Sequence, residues 1–185
     1  MSKTQTLTNG IDTSALRETM AAVKADARRG LAEFGAKTVW RNGFQSESRI
    51  DGWNLGGERI RKDFKILIDE PRELLGGDTS PNPQEYLLAA MNACMLNTFV
   101  AVCSMLGVTL RSLEIESHGQ LDLRGFLGLD SNVRAGYEEI HYTIRVDGDG
   151  TPEQYRKAHE AMMATSPNYD NMNRAIRLTA DLIVG

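Results

Sequence analysis

Few side chains in this sequence are built for chemistry: two cysteines, Cys94 and Cys103, and three histidines, His118, His141 and His159. A cysteine attacks as its thiolate, so its surroundings decide whether it reacts. Cys94 lies in Ala93-Cys94-Met95, inside an apolar run. There a cysteine reads either as a small packed hydrophobe or as a nucleophile. Cys103 follows nine residues later, which on a helix is about 13 Å along the axis and roughly half a turn around it. The two thiols of one chain therefore cannot form a disulfide with each other. Glu85 precedes Cys94 by the same interval, so its carboxylate would reach the sulfur only from a second subunit or through a broken helix start. The histidines show no H-x-H or H-x-x-H spacing and the cysteines no C-x-x-C, so no metal site is expected, although His118 and His141 could face each other across two strands. The paired glycines Gly56-Gly57 and Gly76-Gly77 make neither a G-x-G-x-x-G nor a P-loop, and no cofactor is expected.

These residues must be placed by the elements around them. Asn82, Pro83 and Glu85 stand at the cap, first and third positions of a helix start, and Gly107 ends that helix. Between them Leu87, Leu88, Met91, Met95, Leu96, Phe99, Val100, Val102 and Met105 spread around the whole circumference, which predicts a central helix buried on nearly all sides. Ahead of it, Leu16, Met20, Val23, Ala27, Leu31 and Phe34 follow helical spacing, with Asp12 or Thr13 as cap and Gly35 as stop. This helix would dock on a neighbouring surface. Thr38-Val39-Trp40, the turn dipeptide Asn42-Gly43 and Ser46 to Ile50 read as a hairpin, followed by a strand from Arg59 to Ile68. In that strand the apolar alternation slips at Lys62, which would point inward or sit at an edge. Gly76 to Ser80 reads as a loop. Strands are expected at Leu113 to Arg124 and Glu138 to Asp147, the second with Ile140, Tyr142, Ile144 and Val146 on one face. Thr151-Pro152-Glu153-Gln154 opens a helix, Ser166 caps a short one reaching about Asn173, and Ile176 to Val184 alternates as a last strand. His159 falls mid-helix on a solvated side. Strands placed before and after one buried helix indicate an α+β fold rather than a wound parallel sheet.

Composition sets the limits. The 185 residues can bury roughly 70% of their unfolded surface, so one domain can form without disulfides or a structural metal. Twenty-one basic against 25 acidic residues, without a long basic block, argue against nucleic acid as a partner. Polar Asn92, Asn97, Thr98 and Ser104 interrupt the longest apolar run, so no membrane span is expected. The first ten residues lack the apolar core of a secretory signal, which makes the reducing cytoplasm the expected compartment.

The run Gly77-Asp78-Thr79-Ser80-Pro81-Asn82-Pro83-Gln84-Glu85-Tyr86-Leu87-Leu88-Ala89-Ala90, leading to Ala93-Cys94, resembles the helix-opening motif of the OsmC/Ohr family of osmotically inducible and organic-hydroperoxide-resistance proteins. Leu121 to Leu129 supports the resemblance, as does Ser166-Pro167-Asn168-Tyr169, where members often carry Cys-Pro. It covers roughly residues 37–184 and implies an extension over 1–35 and an OsmC-like domain over 36–185. The implied fold is α+β, with antiparallel curved sheets wrapping a long buried central helix in an intertwined homodimer whose active sites draw on both subunits. The implied chemistry is attack of a Cys94 thiolate on the O–O bond of a small hydroperoxide, aided by an Arg and a carboxylate that orients it. The residue matching that Arg is Arg41, in Arg41-Asn42-Gly43. Gln84 stands ten residues before the cysteine and Glu85 one later, the position used for the carboxylate in some branches. Ser166 occupies the place of the second, resolving cysteine, and a hydroxyl cannot close a disulfide. The resemblance thus implies either a one-cysteine peroxidase that uses an external thiol, with Cys94, Arg41 and Glu85 catalytic and Gln84 and Ser166 in the binding site, or a non-peroxidatic relative whose dimer pocket holds a small apolar or sulfur-containing ligand.

Overall fold

A computed structural model describes residues 7–185, which fall into two compact units, 7–87 and 88–185. The first begins with a two-residue pair, β1 (Leu7–Thr8) on β2 (Ile11–Asp12), and helix α1 (Thr13–Ala25). Asp12 caps α1 by accepting from the Ser14 and Ala15 amides. The helix stops nine residues short of Phe34. Asp26 takes an extended conformation, accepts from the Arg28 amide and opens a single 3-10 turn, Ala27–Gly30. Phe34 instead belongs to strand β3 (Ala32–Phe34), where it stacks on Trp53 at 5.1 Å. The helical spacing of Leu31 and Phe34 is therefore coincidental, and a cross-strand aromatic pair decides their conformation.

Strands β4 (Lys37–Asn42) and β5 (Gln45–Leu55) form the expected hairpin, and β6 (Glu58–Ile68) pairs with β5 along its length. The centre of this antiparallel sheet is β5, with β3 and β4 sharing one of its edges and β6 holding the other. Two bulges interrupt the register. One lies in β4 between Trp40 and Asn42, which makes Arg41 the extra residue. The other, opposite Ile50 to Gly52, absorbs the slip at Lys62, whose ammonium lies 5.7 Å from the Trp53 ring centre on the exposed surface rather than pointing inward.

The loop after β6 is gathered by Asp69, a buried carboxylate with five donors: the amides of Glu70, Gly77 and Thr79, the Thr79 hydroxyl at 2.7 Å and the Gln45 side chain. These bonds, the Thr79 hydroxyl first, hold the Asp69 carboxyl far below the usual carboxylate range. Gly76 is required here, because a Cβ would stand 1.8 Å from the Glu70 carbonyl oxygen. Helix α2 (Pro83–Met105) then begins with a complete capping box. The Asn82 side chain accepts from the Glu85 amide at 2.9 Å, and the Glu85 carboxylate accepts from the Asn82 amide at 2.8 Å.

In the second unit α2 ends at Gly107, which has φ +73°, and the Val108 amide reaches back to the Cys103 carbonyl. Strand β7 (Leu110–Gly119) pairs antiparallel with β8 (Ile140–Gly148). Between them lies the short helix α3 (Leu123–Phe126), where a continued strand was expected. Asp122 accepts from the Arg124 amide and turns the chain into that helix. Helix α4 (Pro152–Thr165) carries the Thr151–Gln154 capping box, and α5 (Pro167–Asn173) follows directly. The core joins Met91, Met95, Phe99 and Cys103 of α2 to Val108, Ala158 and Met162, with the inner ribbon residues Leu113, Ile115, Tyr142, Ile144 and Val146 against them.

Two expectations change. Only one stripe of α2 is buried by this chain, at four-residue intervals from Met91 to Cys103, while Ala89, Ala90, Ala93 and Asn97 remain exposed. By length and composition alone α2 could cross a membrane, but its buried stripe forms the core of the second unit. The last residues, 174–185, are without regular structure and pair with no described strand, so the expected strand from Ile176 to Val184 is not formed. Alternation favours a strand, but the ladder needs a neighbour.

Candidate active site

Cys94 lies on α2, half-buried, one step around the helix from the core stripe. Facing it is Ser166, at the junction of α4 and α5. Ser166 has no exposed surface. Its amide closes α4 on the Met162 carbonyl, and its carbonyl accepts from the Asp170 amide to start α5. The hydroxyl makes no cap bond to α5, contrary to the capping role expected of it. It donates instead to the Cys94 sulfur at 3.4 Å. A second bond fixes this approach: Asn168 Nδ2 donates to the Ala90 carbonyl at 2.9 Å, one turn before Cys94. The site therefore rests on two segments, the middle of α2 and the α4–α5 junction, which a serine with three bonds and an asparagine hold together.

The second cysteine takes no part. Cys103 is fully buried in the stripe, and burial pushes its thiol up to about 11, which keeps it protonated and unreactive at neutral pH. Both cysteines are free.

The expected arginine and carboxylates lie in the first unit. Arg41, the bulge residue of β4, has a half-exposed side chain and pairs with Glu47 at 3.2 Å. Bulges re-aim side chains, and this one sets Arg41 apart from the regular ladder. Glu47 also receives a hydrogen bond from Arg49 at 2.8 Å. That bond, reinforced by the charge of Arg41, holds the Glu47 carboxyl below the usual range. The carboxylate paired with Arg41 in this chain is thus Glu47. Glu85 is exposed and its carboxylate is turned to the Asn82 amide, while Gln84 is exposed at the second position of α2.

Sequence reasoning missed Glu47, Asp69 and Asn168. The first could not be read from the expected hairpin, because an Asn42-Gly43 turn would align Val39 with Ser46; the observed turn at Gly43-Phe44 and the bulge at Arg41 set Val39 opposite Glu47 instead. No motif marks Asp69, whose donors come from the loop that follows it and from Gln45, or Asn168, whose partner Ala90 is remote in sequence. His159 also differs from its solvated reading: it is half-buried and shares a hydrogen bond with the Tyr142 hydroxyl at 2.9 Å. Among the described residues no three His, Cys, Asp or Glu side chains stand together as a metal ligand set.

The comparisons with known proteins agree with this arrangement of elements. The OsmC-like protein family matches residues 76–181, a segment that includes both Cys94 and Ser166. Two similar solved structures are an OsmC-like protein from Mycoplasma pneumoniae and one of unknown function from Vibrio cholerae O1 biovar eltor. The first is 14% identical, with TM-score 0.60, and the alignment covers 76% of this chain and 87% of that one. The second is 16% identical, with TM-score 0.59, covering 76% and 93%. Among curated proteins, none matches the sequence. At these identities the likeness is one of fold.

Proposed function

The chain belongs to the OsmC-like protein family, and from that membership we propose that it is a one-cysteine, thiol-dependent peroxidase that reduces organic hydroperoxides or hydrogen peroxide in a reducing compartment. The observation that carries this reading is the hydroxyl of Ser166, donated to the Cys94 sulfur at 3.4 Å while the helix cap it could have made is left open. The bond fixes the position of the sulfur, the atom on which the proposed chemistry turns.

In the proposed cycle the Cys94 thiolate attacks the nearer peroxide oxygen. The S–O bond forms as the O–O bond breaks, the sulfur is oxidised to sulfenic acid, and the departing oxygen leaves as an alcohol, or water, after taking a proton. Arg41 supplies positive charge to the departing oxygen and Glu47 holds the guanidinium in place. An external thiol then attacks the sulfenic sulfur, giving a mixed disulfide and water, and a second thiol releases Cys94. Glu85 acts in this scheme by capping α2, and Gln84 beside it would contact the bound peroxide from a second copy of the chain. The working unit is a homodimer of intertwined copies, which completes the site and covers the exposed sides of α2.

The second reading is a non-peroxidatic pocket for a small apolar or sulfur-containing ligand. It is favoured by the absence of a second thiol beside Cys94 and by a cavity of about 340 Å³ lined by Met91, Tyr137, Ile140, Tyr142, Tyr169 and Met172 among others. Consumption of cumene hydroperoxide with dithiothreitol as donor separates the two. The peroxidase reading requires turnover that Cys94→Ser abolishes; equal rates for wild type and variant would leave the ligand pocket.

A further inference from the structure

The outer face of the β7–β8 ribbon changes character along its length. Near its middle Arg145 bridges Glu114 and Glu116. At the end nearer α3 the register sets His118 directly opposite His141. Their ring centres are 5.3 Å apart with the planes tilted by 46°. Both are exposed, and both line a cavity of about 580 Å³ whose charged residues are Asp122, paired with Arg124, and Arg134, Glu138 and Glu139.

That separation has a specific meaning for a metal. An ion about 2.0–2.1 Å from an imidazole nitrogen lies about 3.2 Å from the ring centre, and two such rings at a tetrahedral angle have centres about 5.2 Å apart. At a right angle the same rings would stand about 4.5 Å apart. The observed 5.3 Å is close to the tetrahedral value. We propose that His118 and His141 form a two-histidine chelate for a tetrahedral divalent transition ion, with Zn2+ as the ion of choice. Imidazole is a preferred donor for zinc, and a tetrahedral site with two protein donors keeps open positions for water or a further group. Glu139, two residues before His141, lines the same cavity and forms no ion pair among the described residues, but it stands outside the two-histidine set. The sequence already allowed the two histidines to face each other across strands, and the register now sets them opposite one another although no linear motif marks the pair. The proposal is independent of the chemistry at Cys94.

The test is Zn2+ titration of the full-length chain, followed by calorimetry and by the imidazole resonances of its three histidines. The expected result is saturable binding of one Zn2+ per chain that shifts the His118 and His141 resonances and leaves those of His159 in place. His118→Gln and His141→Gln should each weaken binding by at least roughly tenfold, the loss already typical when only an outer partner of a metal ligand is removed. Cys94→Ser should bind as wild type does. Absence of saturable binding, binding that survives both histidine substitutions, or binding lost in Cys94→Ser would each overturn the proposal.

Discussion

A buried serine hydroxyl that could cap α5 donates instead to the sulfur of Cys94, and the consequences can be measured residue by residue. Removing that donor in Ser166→Ala forfeits a bond worth about 1 kcal/mol that fixes the sulfur, so the rate of Cys94 alkylation by iodoacetamide should change by up to roughly fivefold. An unchanged rate would make the contact mere packing. Ser166→Cys places a second sulfur beside the first, within reach of the disulfide distance after small adjustment. Peroxide treatment of that variant should remove two titratable thiols per chain, whereas the wild type forms no intrachain disulfide. Asp69 acts through pH. Its carboxyl titrates well below its value in the unfolded chain, about 3.9, so its contribution to stability is complete above that value and disappears as the pH falls below about 4. Thermal melts should therefore lose stability steeply below about pH 4. Asp69→Asn should melt lower at neutral pH and show a shallower acid dependence, and identical profiles would deny the carboxylate this role.

At the scale of elements, the start of α2 separates structural from catalytic carboxylates. Glu85→Gln or Glu85→Ala weakens a capping box, a loss of about 1 kcal/mol, which for a chain of this size lowers the melting temperature by about 2–4 °C. The peroxide rate per folded molecule should hold. Glu47→Gln releases Arg41 and should lower that rate without a comparable loss of stability; the opposite pattern would return the role to Glu85. The capping box, the β4–β5 hairpin and the inner face of β8 were legible in the sequence because each depends on residues within a few positions of one another. Three features were not. Helix α1 ends at Ala25 because Asp26 caps the next turn, and Phe34 leaves the helical pattern for Trp53, a partner on another strand. Lys62 marks a bulge whose position depends on β5. Ser166 looked like a helix cap from its neighbours, and only its remote partner Cys94 shows where the hydroxyl goes.

At the scale of the whole molecule, each unit leaves apolar side chains uncovered. In the first unit Trp40, Phe44, Phe64 and Leu67 are exposed, and in the second the C-terminal Leu178, Leu182 and Ile183 stand at 88–92% exposure. Surfaces of this kind mark interfaces, and the intertwined homodimer proposed above gives them a partner. Sedimentation should find a species of twice the 20.5 kDa chain mass. Removing residues 176–185 should shift it toward monomer or aggregate, and a monomeric wild type would refute the assembly. The central claim concerns one sulfur, and trapping its oxidised form tests it most directly. After one equivalent of cumene hydroperoxide in the presence of dimedone, peptide mass spectrometry should find the sulfenic adduct on Cys94, with Cys103 unmodified. An unmodified Cys94, or an adduct carried by Cys103 instead, would contradict the account.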